Sequence, residues 1–201
     1  SIVGIGVGGQ GALVNTSATV AQLQGTISGA GSFTVGGTGD IVFSPVTGGG
    51  TITKIGAGTL TLSDQTGTQT DNNSLALRVN GGTVILAKNS GGAFHAFGNT
   101  SFVNAAGTLK LGGSGGDQIY DGATLYTDGG TFDLAGLSET IGGLANTTPS
   151  LAGTVTNSVA SAATLTVGGG TLNTSGLVYF GLIADGAGQV ALSKSGTGTI
   201  T

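Results

Sequence analysis

A Gly-Thr pair followed by alternating apolar residues recurs along this chain at nearly constant spacing. The copies read Gly58-Thr59-Leu60-Thr61-Leu62, Gly82-Thr83-Val84-Ile85-Leu86, Gly107-Thr108-Leu109-Lys110-Leu111 and Gly130-Thr131-Phe132-Asp133-Leu134. Gly170-Thr171-Leu172 and Gly198-Thr199-Ile200 follow the same pattern. The threonines of the first four copies lie 24, 25 and 23 residues apart. A fixed period of this size marks a solenoid, whose units are too small to bury an apolar face alone and fold only against their neighbours.

Side chains of a strand alternate between two faces. Leu60 and Leu62 therefore face inward with Thr59 and Thr61 outward. Leu109 and Leu111 flank an outward Lys110, and Phe132 and Leu134 an outward Asp133. No window carries a 3.6-residue period, so no helix is expected. Glycine accounts for 43 of the 201 residues and charged residues for 7%. Disorder normally goes with low hydrophobicity and high net charge, whereas mean hydropathy here is +0.34. Val, Ile, Leu and Thr between glycines are strand chemistry punctuated by tight bends. Only Pro45 and Pro149 remove a ladder donor.

The competing local reading is a run of hairpins. Val79-Asn80-Gly81-Gly82 contains Asn-Gly, the strongest short hairpin signal, and Val167-Gly168-Gly169-Gly170 is similar. Two strands and a turn consume about a dozen residues, half the observed period, which instead suits one coil of three short strands and three bends. The expected fold is all-β: a right-handed parallel β-helix of about eight coils of roughly 24 residues. At about 4.8 Å per coil it would form a rod about 40 Å long. Neither terminus reads as a polar cap.

A longer similarity links residues 27–62 with 183–201. Lys54-Ile-Gly56-Ala-Gly58-Thr59-Leu60-Thr61 matches Lys194-Ser-Gly196-Thr-Gly198-Thr199-Ile200-Thr201. Residues 1–201 are accordingly expected to be a single β-helical segment, a piece of a longer repeat protein.

These stretches resemble the autotransporter-associated β-strand repeat, also described as a passenger-associated transport repeat. That family shows a Lys-x-Gly-x-Gly-Thr-Leu-Thr-Leu core followed by a Val-Asn-Gly-Gly-Thr-Leu-type strand, which residues 54–62 and 79–86 match. Residues 139–170 look like its connecting portion and 183–201 like the start of another copy. The resemblance implies a piece of a large, secreted bacterial surface protein folded as a right-handed parallel β-helix.

Charge narrows the partners. The net charge is −4, and the five basic residues, Lys54, Arg78, Lys88, Lys110 and Lys194, are dispersed. No cationic stripe exists to neutralise phosphates, which disfavours nucleic acid. No apolar stretch has the length of a membrane-spanning helix, so no membrane span is expected in this segment. The chain has no cysteine, which removes a disulfide scaffold and a thiol nucleophile.

Candidate chemistry is sparse, and no catalytic residue and no cofactor is assigned. Gly112-Gly113-Ser114-Gly115-Gly116-Asp117-Gln118-Ile119-Tyr120 fits the calcium-roll nonapeptide, making Asp117 a candidate cation ligand. One copy supplies half a site, since Ca²⁺ takes six to eight oxygens, and an ordinary glycine-rich bend explains it as well. Gly4-x-Gly6-x-x-Gly9 matches a dinucleotide fingerprint but precedes no helix to receive a pyrophosphate. Asp117, Asp121, Asp128, Asp133 and Glu139 fall within 23 positions. Two such carboxylates about 5 to 9 Å apart would suit sugar hydrolysis; the plain alternative is a solvated face. His95, the single histidine, lies in Phe94-His95-Ala96-Phe97, read as a bulged turn over the end of a coil.

The expected function is that of a non-catalytic structural protein, a stalk or filament subunit on a bacterial cell surface. Its expected partner is itself, end to end, through Ile2, Val3, Thr199, Ile200 and Thr201. Two other classes remain. An adhesin would hold a host or matrix glycan, or a protein, through a protruding loop at 88–104 carrying Phe94, His95, Phe97 and Phe102. A polysaccharide-cleaving β-helix would need carboxylates converging in a groove, Asp117 and Asp121 first among them.

Overall fold

The computed structural model describes residues 2–28, 31–64, 69–89, 94–114, 116–169 and 176–201. The chain winds into a parallel β-solenoid of about seven turns. One sheet of seven strands contains, in spatial order, β1 (Leu13–Asn15), β3 (Phe33–Gly37), β5 (Gly50–Lys54), β7 (Leu75–Val79), β9 (Ser101–Val103), β11 (Thr124–Tyr126) and β14 (Gly143–Ala145). A second sheet of eight runs β2 (Ala21–Ser28), β4 (Ile41–Thr47), β6 (Thr59–Ser63), β8 (Gly82–Ala87), β10 (Gly107–Leu111), β12 (Thr131–Asp133), β15 (Thr154–Thr156) and β17 (Leu182–Ile183). A third, of β13 (Glu139–Ile141), β16 (Ala163–Val167) and β18 (Val190–Lys194), lies in the C-terminal coils among the described residues.

The Gly-Thr repeat is the register of the second sheet. Thr59 pairs with Thr83, Thr83 with Thr108, Thr108 with Thr131 and Thr131 with Thr154, all parallel. Directly beside them Ile41, Leu60, Val84, Leu109, Phe132 and Val155 stack into one column, each at most 3% exposed. The first sheet contributes a facing column of Phe33, Ile52, Leu77, Ser101, Leu125 and Leu144. The core is therefore a set of vertical files, each rung supplied by one coil.

The coils are not uniform. Phe43 sits beneath Leu62, 19 residues later, whereas Val155 sits beneath Ile183, 28 later. The third sheet begins where the longer coils provide a third straight side. The copies at Gly170-Thr171-Leu172 lie outside the described residues, as does Gly115 of the nonapeptide. Among the described residues, single turns of 3-10 helix occur at Val7–Gly9 and Pro149–Leu151. The first holds Gly9, the last of the dinucleotide-like glycines, and the chain goes on into β1 rather than an α-helix.

The hairpin reading fails at its strongest point. Asn80-Gly81 does join two strands, β7 and β8, but these lie in different sheets, and every pairing between named strands is parallel. Asn-Gly here turns a corner. Gly82 needs its hydrogen: φ is +65°, and a Cβ would lie 2.5 Å from the carbonyl oxygens of both Gly56 and Gly58.

Sequence-similar segments also take different places. Lys54 closes a strand of the first sheet, whereas Lys194 closes β18 of the third. Lys54 points inward, 2% exposed, and its Nζ donates to the carbonyls of Ile55 (2.8 Å), Gly56 (2.9 Å) and, one coil on, Gly81 (3.4 Å). Burial lowers its pKa, opposed by Asp40. Lys194 curls in the same way onto the carbonyls of Ser195 and Gly196, but on the exposed end of the rod.

Candidate functional site

Three places bear on function: a polar cavity on the third side, an aromatic file on the first sheet, and the two ends.

The cavity, of about 270 Å³, is lined by Asp117, Asp121, Glu139 and the hydroxyl-bearing Thr140, Thr164 and Thr166. Glu139 occupies an inward position beside Leu165, which is fully buried. Its carboxyl is 3% exposed and accepts the backbone amides of Gln118 (2.8 Å) and Thr140 (3.0 Å). Burial pushes its pKa up to about 8 against those amides, and Asp117 adds to the rise. Asp121 is raised as well, first by burial and then by Asp117, while His95 opposes.

His95 stands behind this wall. Its Nδ1 lies 2.9 Å from an oxygen of Asp71 and 2.8 Å from Asn73 Oδ1, and its Nε2 lies 3.3 Å from Asp117 Oδ1. Both nitrogens can donate to a carboxylate only in the doubly protonated ring. Tyr120 packs edge-on to the imidazole at 5.4 Å. Asp117 adopts φ +82°, a left-handed bend at a residue other than glycine.

Chemically this is a carboxyl cluster with its members already engaged. Glu139 has an amide on each oxygen, and Asp117 is paired with His95. Among the described residues Asp121 has neither an amide hydrogen bond nor an ion pair, whereas sugar hydrolysis uses two carboxyl groups that can reach substrate. Among the described residues no group of three or more His, Asp or Glu is placed to hold a metal ion. The remaining acids of the sequence cluster are elsewhere. Asp128 caps a corner by accepting from Thr147 N and Oγ1 at 2.8 and 2.9 Å. Asp133 lies on the outer side of the second sheet, as expected, but is only 5% exposed because Lys110 (3.1 Å) and Ser158 cover it. Burial acts to raise its pKa, yet the hydrogen bonds of Ser158, Ala135 and Lys110 win and hold it low.

Several residues of the loop expected to protrude are instead buried. Of 88–104, residues 90–93 lie outside the described residues; Lys88 and Phe97 are fully buried and His95 is 7% exposed. Phe97 pairs in register with Ile119 and belongs to the core, and Phe94 is half-buried. An apolar ring next to a coil gains more by joining the core file than by standing in water. Lys88 reaches Asp64 at 3.5 Å and the Thr70 carbonyl, and burial lowers its pKa against the pull of Asp64.

Phe102 is the exception. It belongs to an outward file of the first sheet, Arg78, Phe102, Tyr126 and Ala145, one residue per coil. The Arg78 guanidinium lies 4.4 Å from the centre of the Phe102 ring. Phe102 and Tyr126 stack at 4.9 Å with planes 14° apart. Parallel in-register pairing imposes that spacing. Tyr126 was invisible as a site residue because its neighbour in the file is 24 positions away.

At the ends, Val3, Ile5 and Val7 are 63%, 65% and 95% exposed, and Leu182 and Leu192 are 60% and 51% exposed. Ile2 packs against the core, and Gly4 bridges to Phe33. Residues Thr199–Thr201 add a last rung to the first sheet: Ile200 pairs with Leu177, and Thr201 accepts from Tyr179 N at 2.8 Å. Among the described residues nothing pairs with the other edge of that rung or of β18.

Comparison with known proteins returns no match to this chain, whether by family model, curated protein or solved structure.

Proposed function

We propose that this chain is a structural segment, a β-solenoid rod of a bacterial cell surface that is lengthened by like coils stacking on its ends. The observation that carries the reading is the pair of uncovered end faces. Each presents strand edges with free ladder groups and side chains of core type, and such edges recruit further strands. The flanks support the same role, because the outward positions of the Gly-Thr repeat are mostly threonines, joined by Ile85, Lys110 and Asp133, so the flank is largely polar. The resemblance of residues 54–62 and 79–86 to the passenger repeat supports an extracellular place.

The test is axial association. Sedimentation and negative-stain microscopy of the purified chain should show rods longer than one subunit. Ile183→Lys with Leu192→Lys, at the open ends of two inward files, should return them to single length, while Thr61→Lys on a flank should not. A wild-type chain that stays monomeric at high concentration, or rods indifferent to the end-face pair, would overturn the reading.

A further inference from the structure

Asp64 and Lys88 stand one above the other inside the rod. Ser63 pairs with Ala87, so the next inward position is Asp64 on one coil and Lys88 on the coil that follows. Both side chains are enclosed, at 2% and 0% exposed. Taking two opposite charges out of water is repaid only where good geometry and direct hydrogen bonds join them. Here the join is incomplete. Lys88 Nζ lies 3.5 Å from Asp64 Oδ1, an ion-pair distance, and that oxygen has no hydrogen-bond partner. Nζ donates instead to the carbonyl and the hydroxyl of Thr70, the latter at 3.2 Å. The other carboxyl oxygen, Oδ2, accepts the amide of Asn89 at 3.1 Å. Asp71, the next carboxyl group along the chain, is engaged by His95 at 2.9 Å.

We propose that Lys88 and Asp64 condense to an amide, an isopeptide staple between adjacent coils. A neutral amine has two hydrogens and one lone pair; with both hydrogens on Thr70, the lone pair is left for Asp64. Desolvation favours that form, since burial lowers the Lys88 pKa against the pull of Asp64. A proton passed from Nζ to Asp64 Oδ1 cancels both charges at once. Nζ then attacks Cγ. The tetrahedral intermediate expels Oδ1 as water, which takes the proton of the acid and one of the amine. Amine and carboxylic acid give amide and water, so no outside reagent is needed. The leaving oxygen is the one without a hydrogen bond. The amide N–H that remains can still serve the Thr70 carbonyl, and the retained oxygen still accepts from Asn89; only the bond to the Thr70 hydroxyl is given up. A carbon–oxygen bond is about 1.2 Å long, which puts Cγ within about 4.7 Å of Nζ. The in-register ladder keeps the two groups together, and groups so held reach effective concentrations of about 10⁵–10⁸ M. An enclosed site also keeps water from reversing the step.

The staple lies within one rod, so its presence is separable from axial stacking. Intact-mass spectrometry of the purified, denatured chain should find it lighter than its sequence mass by one water. Trypsin cuts after Lys54, Arg78, Lys88 and Lys110 in an unmodified chain. In the stapled chain the cut after Lys88 should vanish, and residues 55–78 should appear joined to residues 79–110, with fragment ions that place the link at Asp64 and Lys88. Lys88→Arg keeps the cation but removes the nucleophilic amine, and should restore the full sequence mass. If Lys88→Arg does not fold, the mass and peptide map of the wild-type chain decide alone. A wild-type chain at its full sequence mass would overturn the proposal. So would a missing water confined to an unlinked 55–78 peptide, a link to Asp71, or a loss that persists in Lys88→Arg.

Discussion

Glu139 shows what a single coil position can do to a carboxyl group. In the unfolded chain it titrates in the ordinary range near 4.5, and in the rod at about 8. Between those values the folded form holds a proton that the unfolded form has released. Stability therefore falls as pH rises through that window and levels off above it. Glu139→Gln should flatten the decline of melting temperature between pH 4.5 and 8; an undiminished slope would assign the effect elsewhere, Asp121 being the next group with a raised pKa. Lys54 is the converse case, a cation kept inside by three carbonyls. Lys54→Met keeps the bulk but strips those acceptors of their donor, and should cost about 1–3 kcal/mol in chemical denaturation.

The burial of neither residue was legible from the sequence, and the reason is the same for both. The two-residue alternation tells which way a side chain points, so Leu60, Leu62, Leu109 and Leu111 were placed correctly inside. It does not say which polar group a corner requires. Asn15 and Asn157 illustrate this: each lies in the first half of an unremarkable polar stretch, yet each spans its bend by donating to the carbonyl four residues on and to a carbonyl of the next coil. Asp40 and Gln189, the partners across coils, are 25 and 32 positions away. Contacts of that kind become visible only when the winding is known.

At the scale of the strand, the inward file carries the fold and the corner glycines set its pitch. Leu109 sits between Val84 and Phe132 and is fully buried. Leu109→Ala removes contacts to both neighbouring coils and should lower stability by about 2–5 kcal/mol. Gly82→Ala tests the corner instead. Left-handed backbone and two carbonyls in the way predict a loss of about 1–3 kcal/mol or more, readable as a lower melting temperature with the circular dichroism band of the strands retained. The period of the Gly-Thr pairs announced these strands and their stacking because an in-register ladder requires similar residues at similar places in each turn. The same period overstated uniformity, since it is set by the central coils. The shorter coils before Leu60 and the longer ones after Val155 carry no Gly-Thr pair at the right interval to reveal them.

At the scale of the whole molecule, the two faces of the rod differ, because all strands run one way. A face that accepts its opposite, and not itself, gives open-ended growth rather than a closed pair. The change in coil length adds a geometric signature to such growth. Among the described residues the first coils carry strands on two sides and the last on three, so a narrow beginning would sit on a broad end. The edge strand of the third sheet would find no counterpart above it and would form a ledge once per subunit. A fibre of such stacked coils would therefore be notched rather than smooth. The notch leaves one strand edge free along the fibre's side, a foothold for branching or bundling that a uniform solenoid would lack.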